Sequence, residues 1–141
     1  MNDTPRFGTA GLADSYTVKK FDPAAIAAYT AGFGLTAFEY QCGRGVRLAH
    51  DKAAALGAAC AERDIALSVH APYYISMSSL EEDKRLHSID YLLQSCALVK
   101  ALGGRRVIFH SGLRQAEPGG GAGKGAGYDG PRCQSLRRGR V

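Results

Sequence analysis

The chain has 141 residues, of which 45% are hydrophobic and 22% are charged, the size of one domain with enough apolar side chains for a core. The first eight residues, MNDTPRFG, contain no apolar signal region. The longest uncharged run covers residues 23–38 and is interrupted by proline and glycines. These features argue against secretion and membrane insertion, and we expect a soluble, cytoplasmic protein.

The net charge of +5 is unevenly distributed along the chain. Residues 113–141 carry five Arg and one Lys against one Glu and one Asp, or +4, so residues 1–112 carry only +1. The basic total therefore says little about the partners of the first 112 residues. The four cysteines stand singly, without C-x-x-C spacing, which is typical of reduced thiols packed in an interior. They are Cys42, Cys60, Cys96 and Cys133.

The first half of the chain alternates short apolar strands with helices. RFGTAG predicts a first strand, and Asp22 as N-cap with Pro23 in the first turn predicts a helix that ends at Gly32 and Gly34. LTAFEYQ predicts the second strand. An alanine-rich segment, residues 50–63, predicts the second helix, and IALSVH predicts the third strand.

The longest helix and a fourth strand follow. Ser79 and Glu82 have the spacing of a capping box at the start of this helix. Gly103 and Gly104 end it, and RRVIFH predicts the fourth strand. Apolar residues recur along the helix at steps of three and four and predict one buried stripe, which comprises Leu86, Ile89, Leu93, Cys96 and Ala97.

Strands that alternate with helices in this way imply parallel pairing through right-handed crossovers. The predicted class is α/β, with four parallel strands and three helices over residues 1–112. After Gly112 the composition changes to eight glycines in 29 residues, without apolar periodicity. Such a segment cannot build a packed core, so residues 113–141 are expected to be a disordered tail.

Two of the predicted strands end on a histidine. His70 closes the third strand and His110 the fourth, and the carboxyl ends of parallel strands meet at one edge of a sheet. The two imidazoles are thus candidate ligands of one metal ion. Either histidine alone would favour a simple hydrogen bond to a backbone carbonyl, but two at the same topological position favour the metal site. Glu39, near the end of the second strand, is a further candidate ligand or acid/base group, or an ion-pair partner of the following arginines.

Two loops at the same edge are candidate contacts for a phosphate or base. Tyr73 and Tyr74 follow the third strand and are placed either for stacking or for packing against a neighbouring loop. Gln41, Arg44 and Arg47 lie on a glycine-containing loop suited to phosphate contacts. Solvated loop charge is the alternative for the arginines.

Three segments together resemble the endonuclease IV family, within the xylose-isomerase-like TIM barrels. They are FEYQCGRGVRL, LSVHAPYYISMSS with the helix EEDKRLHSIDYLL after it, and RVIFHSG. The similarity covers residues 5 to about 112. It implies the N-terminal half of a (β/α)8 barrel, in an enzyme that uses zinc to hydrolyse the phosphodiester 5′ to an abasic site in double-stranded DNA.

The resemblance also implies roles for individual residues. His70 and His110 match two ligands that share one zinc ion, and Tyr73 with the loop from Gln41 to Arg44 matches positions inserted into the duplex at the lesion. No catalytic residue is assigned. A zinc cluster of this kind activates a water and neutralises charge on the phosphate.

The sequence departs from the family after Gly112, because the remaining metal ligands belong to strands that it lacks. We therefore expect a truncated or frame-shifted chain with little activity, whose unpaired sheet edges favour self-association. Two alternatives are a sugar isomerase or epimerase of the same superfamily, and a non-enzymatic nucleic-acid binder that uses the basic tail.

Overall fold

The computed structural model describes residues 4–12, 16 and 21–112, and the predicted tail lies outside these residues. Strands and helices alternate, as predicted. The elements are β1 (Gly8–Ala10), α1 (Pro23–Gly32), β2 (Ala37–Gln41), α2 (His50–Ala61), β3 (Ala66–His70), α3 (Glu82–Ala101) and β4 (Arg106–Ile108). None of the helices in this part of the chain has the length and apolar character needed to span a membrane.

The four strands form one parallel sheet in the order β1-β2-β3-β4. Each strand pairs with the next one along the chain, so every connection is a βα unit and the predicted α/β class is confirmed. The pairing of β2 with β3 is the longest and runs from Ala37 opposite Ala66 to Gln41 opposite His70. All four carboxyl ends therefore lie at one edge of the sheet.

The hydrophobic core lies between one face of the sheet and the helices. Side chains alternate between the faces of a strand, and the core side of β2 and β3 presents Phe38, Leu67 and Val69. Each helix contributes apolar residues to the same cluster, including Ile26 of α1, Leu56 and Cys60 of α2, and Leu98 and Val99 of α3. The opposite face of the sheet carries Glu39, Gln41, Ser68 and His70.

Helix α1 begins as its sequence predicts. The Asp22 carboxylate accepts a hydrogen bond from the Ala25 amide at 3.1 Å, and Pro23 occupies the first turn. Gly32 is the last helical residue, and Gly34 has a φ of 68°, a backbone conformation that glycine adopts without steric cost. The polypeptide then enters β2.

Two predictions for α3 are wrong. The helix begins at Glu82 with Glu81 as N-cap, and no side chain caps it. Ser79 therefore does not form a capping box. Its Oγ instead accepts from the Glu81 amide at 3.2 Å, before the helix starts.

The predicted apolar stripe of α3 is exposed rather than buried. Leu86, Ile89 and Leu93 keep 53%, 43% and 63% of their surface accessible, and Cys96 and Ala97 are exposed too. The buried face instead comprises Ser88, Ser95, Leu98 and Val99. Both serines are satisfied within the helix, because Ser88 Oγ donates to the Lys84 carbonyl and Ser95 Oγ to the Tyr91 carbonyl, each at 2.7 Å. Small hydroxyl side chains thus face the interior without an unmet hydrogen bond.

Arg6 joins three segments at the amino edge of the sheet. Its guanidinium donates to the carbonyls of Thr36 and Asp64, and it forms an ion pair with the Asp64 carboxylate at 2.8 Å. Asp64 has a φ of 53° in the turn between α2 and β3. The segment that leads into β1 is thereby attached to the residues that precede β2 and β3.

Helix α2 packs closely on the end of α3, so one added methyl group at Gly57 should lower the stability of the protein. A Cβ at Gly57 would lie 2.6 Å from the Leu102 carbonyl oxygen, which is backbone and cannot move aside. We expect Gly57→Ala to destabilise the protein by about 1–3 kcal/mol, measured as a lower midpoint of urea unfolding.

Gly32→Ala is the matched control for this variant. A Cβ at Gly32 meets no atom within 4 Å, and the residue is helical. This substitution should be neutral or slightly stabilising. Equal midpoints for the two variants would contradict the close packing of α2 on Leu102.

Candidate functional site

The candidate site lies where β2 and β3 end, on the sheet face away from the helices. Gln41 and His70 are opposite each other in the last register position of these strands. The ladder continues one step further, since the Cys42 amide donates to the His70 carbonyl at 3.0 Å. His70 is half-buried and Gln41 is exposed. The pairing thus holds the ends of β2 and β3 in a fixed relative position.

The structure brings His70 and His110 together. Their ring centres are 5.1 Å apart, and the ring planes are inclined by 51°. The prediction that His110 is the last residue of β4 is wrong, because that strand ends at Ile108. The Ala71 amide donates to the Ile108 carbonyl at 2.8 Å, and Ile108 is the last residue of β4. His110 therefore reaches His70 from a segment that follows the strand.

One nitrogen of His70 has a backbone partner. Nδ1 lies 3.1 Å from the Ala71 carbonyl oxygen. When the proton is on Nδ1, this nitrogen donates to the carbonyl and Nε2 keeps a free lone pair. The two interpretations offered by the sequence, a backbone hydrogen bond and a metal ligand, are thus compatible, because metal-binding histidines commonly fix their second nitrogen in this way.

The loops after β2 and β3 contact each other at the same edge. The Tyr73 amide donates to the Gly43 carbonyl at 3.2 Å, next to Arg44. Tyr73 and Tyr74 are 63% and 58% exposed, so neither ring is buried against a neighbouring loop. Arg44 and Arg47 are exposed as well. Two aromatic rings and two arginines are therefore available to a ligand at this edge of the sheet.

Glu39 lies deeper on the same face and is not paired with an arginine. Its Oε2 accepts from Ser68 Oγ at 3.4 Å, and within the described part of the chain it forms no ion pair with Arg44 or Arg47. Nor do the described residues contain a group of three or more His, Cys, Asp or Glu side chains placed to hold a metal. Glu39 thus does not complete a three-ligand set with the histidines.

Sequence patterns did not reveal the serines that position these loops. The Ser88 hydroxyl, on α3, accepts from the Ser76 amide at 2.9 Å. The Met77 amide donates to the Ser111 carbonyl at 2.9 Å, so the segment after β3 is tied to the residue that follows His110. These contacts join residues distant in sequence, so no local pattern predicts them.

Cys42 lies beside the site, but its thiol is buried. Burial raises the pKa of the thiol to about 11. The raised pKa disfavours the thiolate, which is the form that acts as a nucleophile. Cys42 is therefore a packing residue of the core, as expected for the cysteines, and so is Cys60, whereas the exposure of Cys96 contradicts that expectation.

A family model described as the xylose isomerase-like TIM barrel matches residues 27–134 of the sequence. This match covers more than three quarters of the chain. The chain belongs to the xylose isomerase-like TIM barrel family. None of the curated proteins matches the sequence.

A solved structure shows the same TIM-barrel fold. The chain superimposes on the crystal structure of endonuclease IV from Thermus thermophilus with a TM-score of 0.61 and 24% sequence identity, over 77% of this chain. The chain spans 40% of the length of that enzyme. Its four parallel strands and three helices are thus part of a TIM barrel, as predicted, and the candidate site lies at the carboxyl edge, where enzymes of this fold carry their active sites.

Proposed function

We propose that the chain carries part of an endonuclease IV-like, zinc-dependent site for the repair of abasic DNA. The proximity of His70 and His110 at the carboxyl edge is the observation that carries this proposal. The likeness to a solved endonuclease IV supports it at the level of the fold. The family match supports it at the level of the superfamily.

The histidine pair fits a zinc ion in distance and in chemistry. Two imidazoles that bind one tetrahedral zinc at about 2.0–2.1 Å have their ring centres about 5 Å apart, and the observed separation is 5.1 Å. His70 Nε2 is available as a ligand when Nδ1 donates to the Ala71 carbonyl. When bound, zinc supplies an activated water and a positive charge for the phosphate.

The loops of the site suit a nucleic acid. Tyr73 offers an exposed ring for stacking on a base or for insertion into a duplex, and Arg44 offers a charge for a phosphate oxygen. The hydrogen bond between the Tyr73 amide and the Gly43 carbonyl keeps both groups on adjoining loops. Gln41, opposite His70 at the end of β2, lies at the same edge. We infer that Gln41, Arg44 and Tyr73 contact the DNA.

Zinc binding tests the proposed ligands. His70→Ala and His110→Ala should each weaken zinc binding, measured by titration calorimetry, by more than about tenfold, since even the loss of an outer-shell partner costs that much. His50→Ala and His87→Ala remove the other two histidines of the chain, both exposed, and should leave zinc binding unchanged. Equal binding by all four variants would contradict the proposed site.

DNA binding tests the loops. Arg44→Ala should lower the slope of log K against log salt by about one for a duplex with an abasic site, because one phosphate contact is lost. Tyr73→Ala should weaken the free energy of DNA binding by about 1–3 kcal/mol, the value of one stacking contact, without changing the slope.

Arg105→Ala is the matched control for the charge, since Arg105 is exposed at the amino edge, just before β4. It should keep the wild-type slope. If Arg105→Ala and Arg44→Ala have the same effect, binding does not use the carboxyl edge.

A cleavage assay tests the expected level of activity. Catalytic zinc sites keep three protein ligands, and the described residues bring two histidines together. We expect cleavage of an abasic-site duplex with zinc to stay near the metal-free background. Turnover well above background that His70→Ala abolishes would show that this expectation is wrong while supporting the nuclease proposal.

A sugar isomerase or epimerase is the second candidate, since the matching family model is described as xylose isomerase-like. Metal-dependent conversion of a ketose, with neither cleavage nor binding of abasic DNA, would favour it. The predicted DNA binder that uses the basic tail depends on residues outside the described part of the chain. For that function, deletion of residues 113–141 should abolish DNA binding.

A further inference from the structure

The outer surface of α3 carries an apolar row that no described residue covers. This row, the α3 stripe, consists of Leu86, Ile89, Leu93 and Cys96, all of which are exposed. The intervals are three, four and three residues, the spacing of the a and d positions in a helix that pairs with another helix. The stripe thus has the pattern of a helix–helix contact.

The stripe cannot turn into the core of the same molecule. The opposite side of α3 is held there by Leu98 and Val99, and the Ser88 hydroxyl accepts from the Ser76 amide. Rotation of the helix about its axis would expose these two apolar residues and break this bond. The α3 stripe therefore needs a cover from outside the packed domain.

Residues 113–141 do not have the composition to provide that cover. Their large aliphatic residues are Leu113, Leu136 and Val141, which are too far apart to form one apolar helix face. Eight glycines in the same 29 residues further disfavour a helix. A second copy of α3, by contrast, offers a complementary apolar row.

We propose that α3 pairs antiparallel with α3 of a second copy, about a two-fold axis near Tyr91. In this register Leu86 of one copy lies opposite Cys96 of the other, and Ile89 lies opposite Leu93. Each contact occurs twice, as a two-fold interface requires. The four residues of the α3 stripe thus form a continuous apolar seam.

The charges at the two ends of α3 favour this register over a parallel one. Glu82 and Asp83 stand in the first turn of α3 and Lys100 in the last. The antiparallel register places Glu82 beside Lys100 of the second copy at both ends of the seam. It also sets opposite helix dipoles side by side, whereas a parallel pair would bring the acidic first turns together.

The area of the seam sets the expected stability of the dimer. Two helices that meet over about three turns bury less than the roughly 1,200 Å² at which stable complexes begin. The dimer is therefore reversible and depends on protein concentration. The sheet edges are weaker sites for association, because the border strands β1 and β4 are each only three residues long.

Sedimentation velocity over a range of concentrations measures the dimer. Leu93→Lys should weaken self-association at least about tenfold without unfolding the monomer, because Leu93 is exposed. Phe7→Lys is the matched control, since Phe7 is 72% exposed beside β1, and it should dimerise like the wild type. The proposal is wrong if the wild type is monomeric at every concentration. It is also wrong if Phe7→Lys, rather than Leu93→Lys, dissociates the dimer.

A disulfide tests the register. Under mild oxidation, Leu86→Cys should form a covalent dimer linked between Cys96 and the new thiol, identified by peptide mapping. The wild type should form no link between two Cys96 residues, which lie about 15 Å apart along the helices in this register, beyond the reach of a disulfide. Leu86→Cys with Cys96→Ser removes the link and is the control. A link between two Cys96 residues would overturn the antiparallel register.

Discussion

The parallel ladder between β2 and β3 is the constraint on which the site depends. It runs over five register positions and fixes Gln41 opposite His70. The Cys42 amide extends it by bonding to the His70 carbonyl. Because both strands point the same way, the loops that follow them emerge at one edge and can hydrogen-bond to each other. The loop that carries Tyr73 and the loop that carries Arg44 meet for this reason, at the edge of the sheet where His70 lies.

Local signals in the sequence were sufficient for the order of the elements. The N-cap carboxylate of Asp22, the proline after it and the glycines after α1 and α3 act within a few residues, so they can be read without the fold. The α3 stripe is a case in which local signals gave a wrong prediction. Periodicity identifies an apolar face of a helix, but the partner of that face is set by tertiary packing. In α3 the core instead receives Ser88 and Ser95, whose hydroxyls are satisfied by the helix itself.

The proximity of the two histidines was predictable from the sequence, but the hydrogen bonds that hold the surrounding loops were not. Histidines at the ends of neighbouring strands could be found from the strand pattern alone, and the structure places His70 and His110 side by side. The early end of β4 could not be found in this way. It follows from the path of the chain after Ala71, where the Tyr73 amide bonds to Gly43 on the β2 side. Hydrogen bonds between residues so distant in sequence cannot be predicted from a local sequence pattern.

Arg6 has a consequence for how the sheet comes apart. β1 is a three-residue border strand, and its ladder alone provides few bonds against fraying. The guanidinium of Arg6 reaches past β2 to Asp64, on the turn before β3. Separation of β1 from the sheet would therefore break an ion pair and two hydrogen bonds to backbone carbonyls. A side chain at the opposite end of the domain from the histidines thus supports the border of the sheet.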